Sequence, residues 1–259
     1  MRQTDPMDLH LADRTFVVTA ASAGLGRATA SALVAEGARV VLVARRADVL
    51  AEVVAELGED AAVALPADLS DPATPGRACE LALSRFGSLD GALVSVGGPP
   101  RGAALANSEQ EWRDAFDSVF LAALRVSRAV LEHATRDDVA LAWVLSSTAR
   151  EPLPEMAISN GLRPGLGLLV KQLADEVGPR GARVVGLMPG TVRTERITAL
   201  HAHSDDPEQA MADAAATIPL RRLGEPEEFG RVAAFVLSPA ASYLSGCLLP
   251  VDGGKMRTL

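Results

Sequence analysis

One tyrosine, Tyr243, and two lysines, Lys171 and Lys255, are all that the 259 residues hold of those types. Aromatic side chains amount to 3% of the chain, and nearly all the positive charge is arginine. A formal charge of −8 lacks the basic excess of a nucleic-acid binder, so no such partner is expected. Cys79 and Cys247 are too few for a disulfide framework or a Cys-rich metal centre, and no metal site is expected. No apolar run approaches the ~20 residues that cross a bilayer, which leaves out a membrane partner. Residues 1–10 are polar and acidic, unlike the basic-then-apolar order of a secretory signal. They read as a flexible leader on a cytoplasmic protein. What is present is 48% hydrophobic and 22% charged, enough to exclude a disordered chain and to bury the core of one α/β domain.

Thr15–Thr19 is short, apolar and β-branched, the mark of a buried strand, and Leu25–Glu36 has helical apolar spacing. Gly37 closes that helix and Arg39–Val43 is the next strand. The alternation continues with helices near 46–57, 72–86, 109–134, 156–177 and 225–237. Strands fall near 61–65, 91–95, 139–146, 182–188 and 246–251. A polar, Ala-rich helical excursion occupies 193–216. Such alternation implies a doubly wound parallel sheet of about seven strands, in one domain spanning 11–259.

The turn after the first strand is Thr19-Ala-Ala-Ser-Ala-Gly24-Leu-Gly26. Glycines there let the backbone approach a pyrophosphate, and the following helix offers its N-terminal amides to negative charge. A tight turn with small packing residues would look the same, but this turn lies at the sheet edge where open parallel sheets bind ligands. The loop resembles the Thr-Gly-x3-Gly-x-Gly segment of the short-chain dehydrogenase/reductase family, with Ala20 in place of the first glycine. Ala67-Asp68-Leu69, Leu93-Val-Ser-Val-Gly-Gly98, Pro189-Gly190 with Thr194, and the stretch from Arg222 to Gly254 resemble further family elements in order. The resemblance implies a Rossmann-type fold and a nicotinamide cofactor. It places Thr19, Ala21, Ser22, Gly24, Leu25 and Gly26 at the first turn, and Asp68 and Leu69 at the adenine. Ser95 and Gly97 follow the fourth strand, and Pro189, Gly190, Val192 and Thr194 hold the nicotinamide carboxamide.

Where NAD-preferring members end the second strand on an acid, this chain has Ala44-Arg45-Arg46. An arginine there can pair with a ribose 2′-phosphate, whereas a merely solvated arginine gains nothing from a helix N-terminus. NADP(H) is therefore favoured over NAD(H).

Typical family members reduce a ketone with a proton from a tyrosine four residues before a lysine on one helix face, beside a carbonyl-polarising serine. Aligning Ser146-Ser147 gives the polarising role to Ser147. The register, anchored downstream by Gly165, Lys171, Leu173 and Ala174, then sets Ser159 at the tyrosine position and Arg163 at the lysine position. A one-residue slip offers Asn160, still no tyrosine, and Val119 takes the place of the asparagine that holds a water in the relay. The missing groups all handle the proton. Arg163 remains cationic and suits the cofactor ribose, but it does not give up a proton. Ser147, with Ser159 as a second candidate, would polarise the carbonyl, while water or substrate supplies the proton. Losing general acid catalysis, typically worth about 10²–10⁴-fold, slows such a reaction without abolishing it.

Weaker candidates are Glu151 and Glu155 in the loop after Ser147, and His201 and His203 in the excursion where the family carries its substrate lid. No third ligand accompanies the histidines. Pro164 is expected to shape the entry of the helix. The leading function is an oxidoreductase on a small or acyl-chain carbonyl or alcohol, with a small-molecule or acyl-carrier-linked substrate. The alternatives are a cofactor-binding regulator or partner subunit that has lost catalysis, and a relative of the halohydrin dehalogenases, which use Ser, Tyr and Arg. The resemblance also implies a homodimer or homotetramer through the two long helices, which carry Ala122, Ala123, Leu166, Leu168, Leu169 and Val170.

Overall fold

A computed structural model of the chain describes residues 8–201 and 206–258. The β-branched runs become seven strands: β1 (Thr15–Thr19), β2 (Arg39–Ala44), β3 (Ala62–Pro66), β4 (Gly91–Val94), β5 (Ala140–Val144), β6 (Arg183–Pro189) and β7 (Cys247–Val251). They pair in parallel in the order β3-β2-β1-β4-β5-β6-β7. Strands buried on both sides need helices on both faces. One face carries α1 (Gly24–Ala35), α2 (Ala47–Leu57) and α9 (Pro226–Leu237); its core holds Phe16, Leu33, Leu42, Leu50 and Phe229. The other carries α3 (Thr74–Phe86), α4 (Glu109–Ala115), α5 (Ala122–His133) and α6 (Ala157–Val177), around Trp143, Leu141, Ile158, Leu166 and Val170. The strand order reverses between β1 and β4, so the crevice at their C-terminal ends is the ligand position of such folds.

Three local features shape that crevice. A Cβ at Gly26 would collide with the Ala20 carbonyl, so α1 starts hard against the end of β1. On the outer side, a Cβ at Gly230 of α9 would lie 2.5 Å from the Ala28 carbonyl oxygen, so α9 clamps α1 at backbone distance. Ala20 itself has φ +51°, the left-handed conformation that a glycine would adopt without cost.

The structure revises several expectations. The helix foreseen over 109–134 is interrupted by a π-helical turn, Phe116–Leu121, between α4 and α5, and buried Val119 lies within it. The strand foreseen over 139–146 ends at Val144, so the residues after it already belong to the crevice. The excursion over 193–216 contains two helices, α7 (Glu195–His201) and α8 (Pro207–Ala216). Pro164 lies inside α6 rather than at its entry; it removes one backbone hydrogen bond from the turn that carries Ser159 and Arg163. Of the residues assigned to a subunit face, Ala122, Ala123, Leu166 and Val170 are buried within the protomer, whereas Leu168 is exposed. The leader lies outside the described residues over 1–7, as does His203. Tyr243 stands fully exposed (103%) in the turn before β7.

Candidate active site

Two adjoining clefts occupy the C-terminal edge of the sheet and share Ala20, Ala23, Gly97, Gly98 and Pro99. The wider one, about 810 Å³, runs between the ends of β1, β2 and β3 and the start of α4. Ser22, Arg45, Arg46, Asp68, Leu69 and Gly97, all candidates from the sequence, line it. Glu111 and Asp114 of α4 and Asp117 of the π-helical turn add acidic lining, which sequence reasoning missed because carboxylates on a helix look merely solvated. Asp117 is paired with Arg125 at 2.8 Å. Hydrogen bonding from the Ser108 amide and hydroxyl holds the Glu111 carboxyl below its ordinary range.

The start of α1, like those of α3 and α6, is left uncapped by side chains, and it alone of the three follows the β1 turn. Its N-cap, Ala23, supplies no side-chain cap, and the first turn has no acid. By contrast α4 and α9 begin with capping boxes and α8 with a capping Asp206. Amides left without a side-chain cap, on a 12-residue helix whose dipole favours negative charge, fit a phosphate-bearing ligand. Beside them Arg46, the N-cap of α2, places Nη2 3.4 Å from Ser22 Oγ and 3.9 Å from the Glu195 carboxylate. Two of the expected contacts stand behind the surface instead. Thr19 donates to the Ser95 carbonyl at 2.5 Å and accepts from the Ser95 amide at 2.8 Å, stitching β1 to the chain leaving β4. Ala21 is fully buried, its amide bonded to the Val43 carbonyl. Neither lines a cleft.

The narrower cleft, about 420 Å³, is lined by Gly24, Leu25, Gly26, Ser95, Pro189, Gly190, Val192 and Thr194, and also by Ser146, Met156, Ser159 and Arg163. Ser159 and Arg163, one turn apart on α6, are 3% and 5% exposed. Arg163 donates to the Val144 carbonyl at 2.7 Å, fixing its guanidinium at the end of β5. Ser159 Oγ lies 2.8 Å from Thr148 Oγ1. Asn160, the alternative register, faces away: its amide group brackets the Leu153 backbone at 2.8 and 3.1 Å and ties down the preceding loop. That loop is joined to the one after β4 by a bridge between Gly102 and Met156, which sets Met156 in the cleft wall.

The largest displacement concerns Ser147. It lines neither cleft; it opens a short 3-10 turn and its carbonyl accepts from the Arg150 and Glu151 amides. Ser146 lies in the cleft instead, because β5 ends two residues earlier than the pattern suggested. Glu151 and Glu155 line neither cleft. Cys79 is buried among core side chains, and burial, with Glu80 and Glu132 nearby, pushes its thiol up to about 12. Among the described residues no group of His, Cys, Asp and Glu is arranged to hold a metal.

Residues 19–255 match the family model described as enoyl-(acyl carrier protein) reductase. The chain belongs to the short-chain dehydrogenase/reductase family. An uncharacterised oxidoreductase of Mycobacterium tuberculosis is 33% identical over 250 residues, 93% of this chain and 91% of the relative. L-Sorbose reductase from Gluconobacter frateurii, solved with NADPH and L-sorbose, superposes with a TM-score of 0.91 at 28% identity, covering 98% of this chain and 100% of that one. The 3-ketoacyl-(acyl-carrier-protein) reductase from Brucella melitensis, solved with NADH, gives 0.84 at 28% identity, covering 95% and 99%. As a short-chain oxidoreductase the chain has the family's sheet and crevice, with a nicotinamide cofactor as the group its members carry.

Proposed function

We propose that this short-chain oxidoreductase uses NADP(H) and reduces a small or acyl-carrier-linked carbonyl compound without a tyrosine proton donor. The observation that carries the reading is an α1 N-terminus lacking a side-chain cap, whose N-cap Ala23 is shared by the two adjoining clefts, with Arg45 and Arg46 on the wide one. The α1 amides and Ser22 would hold the pyrophosphate, and Arg45 and Arg46 a 2′-phosphate. Asp68 and Leu69 would meet the adenine, and Gly190, Val192 and Thr194 the nicotinamide carboxamide. The bound cofactor supplies hydride. On the substrate side Ser146 and Ser159 polarise the carbonyl oxygen, Arg163 offsets its growing negative charge, and water provides the proton. The L-sorbose reductase with NADPH supports the phosphate-bearing cofactor, whereas the Brucella reductase with NADH shows that both forms occur among relatives.

Titration of the protein with NADPH and NADH tests this. The expected outcome is tighter binding of NADPH, and a preference reduced about tenfold or more in Arg46→Ala, as loss of a charge-assisted contact implies. Absence of NADPH binding would sink the proposal. The Ser159 and Arg163 substitutions favour one second reading, a cofactor-binding subunit without turnover; binding with no reduction of any carbonyl in a broad panel would establish it. The dehalogenase comparison is disfavoured by the retained Gly24/Gly26 turn. The 11–259 domain carries its lid on α7 and α8, and we place a dimer contact at exposed Leu168 and at Phe116, whose ring stacks on Phe120 at 4.9 Å. Light scattering at micromolar concentration should show a dimer or tetramer. Among the described residues no helix is long and apolar enough to cross a membrane.

A further inference from the structure

We infer that Thr148, a residue outside both clefts, is a positioning residue that turns Ser146 and Ser159 into hydrogen-bond donors toward the substrate. The inference rests on the reductase reading for its chemistry and on the structure for its geometry.

A hydroxyl has one hydrogen to give and can accept from others. Thr148 is buried (2% exposed), and among the described residues the hydrogen-bond partner of its Oγ1 is Ser159 Oγ, 2.8 Å away. Two arrangements are possible. If Ser159 donated to Thr148, the Thr148 hydrogen would be buried without an acceptor, a costly condition. If Thr148 donates to Ser159, both hydrogens are satisfied, because Ser159 lines the narrow cleft and its own hydrogen can meet water or a ligand there. The second arrangement wins. The backbone amide of the same residue donates to Ser146 Oγ at 3.2 Å. Ser146 also lines the cleft, so its hydrogen too is left for whatever occupies that space.

Thr148 thus occupies one acceptor position of each serine from behind, one through its hydroxyl and one through its amide. The cleft is left with two hydroxyl hydrogens, the number a carbonyl oxygen with two lone pairs accepts. Two donors held in advance stabilise negative charge developing on that oxygen without reorganising at the moment of reaction. The substrate group recognised is therefore an acceptor oxygen on carbon, with Arg163 on the same helix face as the nearby positive charge.

Neutron diffraction from the perdeuterated full chain locates the hydrogens directly. A Thr148 deuterium on the line to Ser159 Oγ, with the Ser159 deuterium turned into the cleft, is the expected result; a Ser159 deuterium pointing at Thr148 overturns the inference whatever the activity. The functional half is read with NADPH and 2,3-butanedione as the probe. Thr148→Val, of nearly the same shape, should lose about tenfold in kcat, less than loss of a direct oxyanion donor. Its KM and NADPH affinity should stay near those of the parent, and Thr148→Ser should restore the rate. A Thr148→Val variant as fast as the parent, or a Thr148→Ser variant as slow as Thr148→Val, overturns the role. A parent protein that binds NADPH but leaves the dione and a wider carbonyl panel unreduced sinks the reductase reading and the catalytic role with it, and the neutron map keeps the two failures apart.

Discussion

On the proposed reading the cofactor is held mostly by backbone, at the turn shared by the two clefts: α1 amides without a side-chain cap, Gly24 and Gly26, and strand ends stitched by Thr19. The proposed chemistry depends instead on side chains lining the narrow cleft, among them Ser159 and Arg163, which the alignment sets at the family's tyrosine and lysine positions. The difference teaches that the two halves answer to different constraints. A backbone cradle is written into glycines and sheet topology, so it is lost only if the fold is disturbed. A proton donor is one side chain, and exchanging it leaves the fold intact.

The largest test of that contrast rebuilds the side-chain half. Ser159→Tyr with Arg163→Lys should raise carbonyl turnover by about 10²-fold or more, the usual contribution of general acid catalysis. An unchanged kcat in steady-state assays would mean that the proton is not what limits this enzyme. Disturbing the backbone half should do the reverse. In Gly26→Ala a Cβ collides with the Ala20 carbonyl, so NADPH affinity by fluorescence titration should fall at least tenfold, with overpacking costing about 1–3 kcal/mol. Ala20→Gly, which frees a residue at φ +51°, should stabilise the protein by about 1 kcal/mol in urea unfolding. A loss of stability would show that the alanine methyl packs better than its conformation suggests.

The smallest effect concerns pH. Hydrogen bonds from Arg222 and from the Glu225 amide lower the Glu228 carboxyl from 4.5 to about 2. A carboxyl lowered on folding adds stability above its unfolded value and loses it as pH falls through the folded one. The cap of α9, and through Gly230 the seat of α1, should therefore weaken between about pH 4.5 and 2. Comparing acid unfolding of Glu228→Gln with the parent by circular dichroism checks this. A variant with an unchanged acid profile would remove Glu228 from the account.

The sheet was legible in the sequence because each strand is a short β-branched run and each crossover a helical repeat. The residues that line the clefts at the ends of β1, β2 and β3 were legible for the same reason, since they follow from where strands end. Alignment gives the polarising role to Ser147, but the β5 ladder stops at Val144, so it is Ser146 that lines the narrow cleft. Thr148 was invisible for a different reason. Its importance is a contact across a turn to α6, and no spacing within either segment encodes it. Helix periodicity likewise gave no sign of the π-helical turn, which changes hydrogen-bond register without changing composition.

The exposed phenol before β7 has a practical consequence. Because Tyr243 is the chain's one tyrosine and stands clear of both clefts, a tyrosine-nitrating reagent would place its nitro group at a single known position. The label would leave Ser146, Ser159 and Arg163 chemically untouched. Its protection would rise only when another surface covers that edge of the sheet, so the residue type scarcest in this chain also supplies it with a built-in footprint for association.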